Sequence, residues 1–156
     1  MLVWSAVEVQ WLLDRFGLHL NQSPPGEPIP GSYWGDSEAG LIGASVYVRD
    51  DTPLHSLLHE TSHYVCMSPQ RRTSLHTDAG GSDIEEAAVC YLQVILAQAV
   101  GIEPASITAD MDAWGYSFRL GSTHAWFESD AGDAFAWLRH HQLLDADAGP
   151  TWRLRA

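Results

Sequence analysis

The chain predicts an α+β fold, with a small antiparallel sheet and mostly helical mass. Three stretches carry that reading. "LIGASVYVR" (41–49) alternates in character along its length, as a half-buried strand does. "TPLHSLLHETSHYVCM" (52–67) has a helix-start signal followed by apolar residues at helical spacing. "DIEEAAVCYLQVILAQAV" (83–100) is almost continuously apolar after its first turn, so it predicts a helix buried on most sides.

Taken in order, residues 5–16 read as an amphipathic helix. Val7, Val9, Trp11, Leu12, Leu13 and Phe16 form its apolar face, and Gly17 ends it. Residues 21–32, "NQSPPGEPIPGS", are a Pro- and Gly-rich loop. A hairpin follows, in which "SYW" and "LIGASVYVR" flank the turn-forming run "GDSEAG". Ile42, Ala44, Val46 and Val48 are its predicted buried face.

Thr52 is a suitable N-cap and Pro53 suits the first helical position. That helix reaches about Met67, because Ser68 precedes Pro69 and is pushed towards extended geometry. Residues 68–82 are a polar loop ending near Gly80-Gly81, and Gly101 and Pro104 stop the long apolar helix. "ASITADMDAWGYSF" reads as one further helix and "THAWFESDAGDAFAWLRHHQLL" as one or two.

The 156 residues suit one domain. Within it, 1–30 are an N-terminal helix and loop, 31–104 a core that holds the polar motif below, and 105–156 a helical C-terminal part. The net charge of −12, with eight Arg and no Lys, repels phosphate backbones and excludes nucleic acid as a natural partner. The N-terminus lacks a signal-peptide pattern and no window reaches the ~18 apolar residues of a membrane span. The expectation is a cytoplasmic protein with no membrane partner. Cys66 and Cys90 read as small buried hydrophobes rather than a disulfide framework.

The sharpest feature is His59-Glu60-Thr61-Ser62-His63. Imidazoles four apart on a helix project from one face and can share one Zn²⁺. Glu60 lies about 100° round the helix, where its carboxylate can act as general base on a water. Chance predicts only about 0.02 such matches in a chain of this composition.

A third ligand is then required. Glu85 and Glu86 open the apolar helix, where a carboxylate is costly to bury without a compensating cation. Ser82 as N-cap makes Glu85 the capping-box residue and leaves Glu86 for the metal; Asp83 as N-cap reverses those roles. His76, Asp78 and His124 remain as further candidates. For a donor to a developing oxyanion, Tyr116, His124 and His76 are available. Arg71-Arg72 can meet a substrate carboxylate but more often such a pair is solvated. His140-His141 suits a helix C-terminus, and Asp110, Asp112, Asp130 and Asp133 read as solvated helix positions.

His59-Glu60-x-x-His63 followed by Glu86-Ala87 on a later helix resembles the gluzincin zinc metallopeptidases, in particular minimal ImmA/IrrE-like members. The resemblance spans residues 41–99 and implies a zincin-like fold. It implies Zn²⁺ on His59, His63 and Glu86, Glu60 as the catalytic base, and a peptide or protein substrate laid along an upstream strand at 41–49. Cys66 and Pro69 break the metzincin pattern. Cys90 and Ala88 stand where related groups carry a carboxylate and an Asn, so no residue is assigned to orient the two histidines. The alternatives are a metal-binding zincin-fold module with little catalysis, and a structural protein in which the motif is coincidental.

Overall fold

The computed structural model describes residues 2–33 and 36–156. Among these are seven helices and a three-stranded sheet, so the α+β class holds. The sheet is mixed rather than antiparallel. Its order is β1 (His19–Gln22), β3 (Ser45–Val48), β2 (Gly40–Ile42), with β1 parallel and β2 antiparallel to β3.

Two features account for the difference. β1 begins in the unassigned residues after Gly17 and runs into the stretch 21–32 read as a loop. It is polar, "HLNQ", and sits at the sheet edge, so it has no alternation to betray it. And "LIGASVYVR" is itself a hairpin: Ile42 pairs with Ser45 across a two-residue turn at Gly43-Ala44. Gly43 has φ +55°, a conformation that a tight hairpin turn needs and glycine supplies. The inward residues are therefore Leu41, Val46 and Val48, while Ile42 and Ala44 are only half-buried. Of the expected "SYW" strand, Trp34 lies outside the described residues, as does Gly35 of the expected turn; Ser32 and Tyr33 are not in a strand.

The outer edge of β2 is covered. The Gly43 N–H donates to the Leu75 carbonyl and the Thr77 N–H to that of Leu41, and Ile42 bridges His76 in antiparallel sense.

Helix α1 (Ala6–Asp14) buries Val9, Leu12 and Leu13, with Phe16 beyond its end, but Val7 and Trp11 face outward. Helix α2 (Leu54–Cys66) starts one residue after Pro53. Thr52 does not cap it; its hydroxyl accepts from Arg49 N–H at 2.9 Å. Ser68 is extended (φ −65°, ψ 155°), as the following proline requires, and a short helix α3 (Pro69–Thr73) occupies part of the expected polar loop. Helix α4 (Asp83–Ala99) is the buried rod: Ala88 to Cys90, Leu92 and Val94 to Ala97 are all enclosed. Helix α5 (Pro104–Trp114) stops at Gly115, whose φ of +114° ends the helix in left-handed geometry. The last expected segment is two helices, α6 (Thr123–Ser129) and α7 (Gly132–His140).

Helix α2 packs against β2 and β3 on one side and α4 on another, and α4 in turn carries α5 and α7. The main core lies between these elements, with Leu57, Leu58, Val65, Leu92, Leu96, Ile107, Met111 and Leu138 at 1% exposure or less. Cys66 and Cys90 are buried free thiols. No helix among the described residues is long and apolar enough to cross a membrane.

Candidate metal centre

The crossing of α2 and α4 brings the motif and a carboxylate together. His59 and His63, one turn apart, meet edge to face with ring centroids 4.6 Å apart. Glu86, in the first turn of α4, reaches both: Oε1 lies 3.1 Å from His59 Nε2 and Oε2 3.2 Å from His63 Nε2. One donor atom from each of the three residues falls within 4.8 Å of the others.

The neighbours of these rings define their protonation. His59 Nδ1 lies 2.7 Å from Gln93 Oε1, and Gln93 Nε2 donates to the His55 carbonyl at 3.3 Å. A carbonyl only accepts, so the amide orientation is fixed and Gln93 Oε1 must receive the Nδ1–H of His59. The Nε2 lone pair of His59 then points at Glu86. Without a cation, a hydrogen bond there requires the charged imidazolium. Burial opposes that charge, but Tyr116, Cys90 and Glu86 outweigh it and raise the His59 pKa well above its usual value.

Burial is the first influence on Glu86 too, and pushes its pKa up. The His59 hydrogen bond and the two ring charges overcome it, so the net shift is downward. His63 moves the other way, to about 4, through burial and the charge of His59. Its Nδ1 is buried with no hydrogen-bond partner among the described residues. Glu60 is pushed up to about 7 by burial, with His59 opposing and Glu38 and Glu86 adding.

A divalent ion fits this donor set. Two neutral imidazole nitrogens and a carboxylate oxygen are zinc ligands by type, and here both Nε2 atoms converge on one carboxylate. A cation between them would also remove the need for a buried imidazolium. Imidazole and carboxylate ligands accept other first-row metals as well.

These residues line a cleft of about 530 Å³. His59, Glu60 and His63 come from α2 and Glu86 from α4. Thr77 to Gly80 form one wall and Trp114 to Tyr116 another, with Glu38 and Ser56 at the margin. The strand expected to line the cleft contributes none of the lining residues. Residues 75–77 cover its edge instead.

Of the other third-ligand candidates, Asp78 lines the cleft but lies outside the donor group. His76 is exposed and bonds Thr77, while His124 sits on α6, 3.8 Å from Glu128. Neither lines the cleft. Tyr116 does, 5.7 Å from the His59 ring, the one proposed oxyanion donor so placed.

Glu85 faces away from the histidines. Ser82 is the N-cap and its hydroxyl accepts from Glu85 N–H, but the Glu85 carboxylate does not complete the capping box. It takes a two-pronged ion pair from Arg71 (2.8 and 2.7 Å) and a third bond from Arg155 (3.0 Å). Arg72 donates to the Tyr64 and Met67 carbonyls. Both arginines thus have structural partners rather than a solvated setting. Asp112 and Asp130 are also tied down, by Thr123 and Arg119, and Asp110 accepts from Leu2 N–H.

Gln93 had no motif. The available signal was its place as a polar residue in an apolar helix, seven positions after Glu86 and so on the same face. No protein-family model, no curated protein and no solved structure matches the chain.

Proposed function

We propose that this protein is a zinc-dependent metallopeptidase, with His59, His63 and Glu86 holding Zn²⁺ and Glu60 acting as general base. The observation that carries the reading is the convergence of two imidazole Nε2 atoms on one carboxylate delivered by a second helix, beside a cleft that also contains Glu60. Zinc bound there would supply a Lewis acid and bring the pKa of a water to about 7.

The protein's own groups account for the rest. Glu60, with a pKa of about 7, is matched to proton transfer near neutral pH. It takes a proton from the attacking water as the oxygen adds to the peptide carbonyl carbon. It returns that proton to the amine nitrogen as the C–N bond breaks. Gln93 holds His59 in the tautomer that leaves Nε2 free. Tyr116, whose pKa burial raises, lines the same cleft and would donate to the developing oxyanion. A peptide or protein is the substrate class.

The test compares wild type with Glu60→Gln, measuring zinc content and cleavage of a peptide library. Both chains are expected to bind one zinc, and the variant to lose about 10²–10⁴-fold in cleavage rate. Stoichiometric zinc with no cleavage by wild type would instead identify a metal-binding module. A wild type that takes up no metal would overturn both readings.

A further inference from the structure

Glu86 and His63 lie at neighbouring ends of two packed helices: Glu86 in the first turn of α4, His63 in the last turn of α2. Something must fix those two ends relative to one another. We infer that a part-buried arginine–carboxylate junction, built from Glu85, Arg71 and Arg155, positions Glu86 against His63 and so sets the metal affinity of the site. This rests on the metal-site reading above.

The end of α2 leaves carbonyls without helical partners, as every helix does. There is no glycine cap. The Val65 carbonyl accepts from Arg155 N–H (3.0 Å) and the Cys66 carbonyl from Arg155 Nη1 (3.2 Å). Arg72 serves Tyr64 and Met67, and its Nη2 holds the Arg155 carbonyl at 2.6 Å. The segment around Arg155 is thereby fastened across the end of α2, with cationic groups where the helix dipole favours them.

The same Arg155 Nη1 reaches Glu85. Glu85 is 3% exposed, and its backbone is contiguous with that of Glu86. Arg71 completes the junction, and its Nη2 also binds the Ala79 carbonyl at 2.7 Å, tying in the cleft wall. The fit is close: a Cβ on Gly81, itself at φ +109°, would lie 2.3 Å from Glu85 Oε2 and 3.3 Å from Arg71 Nη2. Arg71 and Arg155 touch no part of the donor group, so they are positioning residues. The two helices also pack on one another, and Leu57 and Leu58 of α2 and Val89 and Leu92 of α4 are buried in the core.

The test measures zinc dissociation constants by chelator competition, at a temperature where circular dichroism shows each full-length chain folded. Arg155→Gln and Gly81→Ala are expected to weaken zinc binding by about 10–100-fold, as loss of groups that orient ligands does. Arg71→Lys, which keeps the charge but loses the two-pronged geometry, should show a smaller loss in the same direction. Leu138→Ala is the control. It opens a cavity in the core under α7, lowers Tm, and should leave zinc affinity within about twofold.

If Arg155→Gln and Gly81→Ala bind zinc like wild type, or lose no more than Leu138→Ala at equal Tm loss, the junction is merely structural and the inference falls. Should one of those two fail to fold, the other and Arg71→Lys decide the matter by the same criterion. Wild type binding zinc separates that failure from failure of the metallopeptidase reading.

Discussion

Two adjacent glutamates open α4 and meet opposite surroundings. Glu85 is enclosed and held by guanidinium groups whose charge does not depend on pH. The Glu86 side chain is half exposed, at 49%, and faces two imidazoles whose charge does. The first arrangement is complete as it stands. The second is satisfied without a metal only by holding a buried imidazolium, and is better satisfied by a divalent cation. A permanent ion pair serves to hold a shape, whereas a titratable one leaves room for an exchangeable partner.

Replacing each glutamate in turn should separate the two roles. Glu86→Ala is expected to lower zinc affinity by about 10²–10³-fold, and to cost the metal-free protein less stability than Glu85→Ala does, because its side chain is half exposed. Glu85→Ala leaves Arg71 and Arg155 partly enclosed without a counter-charge. It should cost roughly 3 kcal/mol of stability in urea titrations. Equal loss of zinc affinity and equal loss of stability in both variants would erase the contrast.

The next effect in size concerns Gln93. Substitution to Leu removes the acceptor for His59 Nδ1–H and frees the ring to adopt either tautomer. Zinc affinity should fall by about 10–100-fold, with a changed visible spectrum of the cobalt-substituted protein. An unaltered cobalt spectrum would show that Gln93 does not orient the ring.

The smallest effect is that of pH on peptide cleavage. Burial raises Glu60 to about 7, and only its ionised form accepts a proton. Log kcat/KM should therefore fall by about one per pH unit on the acid side of a limb at or below about pH 7, since a bound cation favours the carboxylate. A flat profile from pH 5 to 8 would remove Glu60 as the base. In the metal-free protein the imidazole side behaves as a charge pair. The raised His59 contributes stability that is present below about pH 6.5 and lost as pH rises through its folded value. The lowered Glu86 contributes stability present above about pH 4.5 and lost as pH falls through its own. The arginine side supplies no such pH window through its cations.

Much of the candidate site was legible because helix periodicity is a local property. The spacing of His59 and His63, and the cap at Ser82 that turns Glu86 away from Glu85, can be read from consecutive residues. Gln93, Arg71 and Arg155 could not be assigned so easily, since their partners are 34, 14 and 70 residues away in the chain. The helices were foreseen for the same local reason, apart from the five-residue α3. The sheet was misread where local signals mislead. Gly43 sits inside what looks like one strand, and β1 gains its strand character from β3 rather than from its own sequence.

The cover that residues 75–77 lay over β2 also bears on behaviour in concentrated solution. An open strand edge is a template on which another molecule can add, and the route by which sheets seed aggregates. Here the outward groups of Leu41 and Gly43 are already taken from within the chain. At the opposite edge, β1 is four residues long, and the Gln10 side chain accepts from Leu20 N–H there. The sheet gives a second molecule little to extend, so ordered stacking through its strands is disfavoured from the outset.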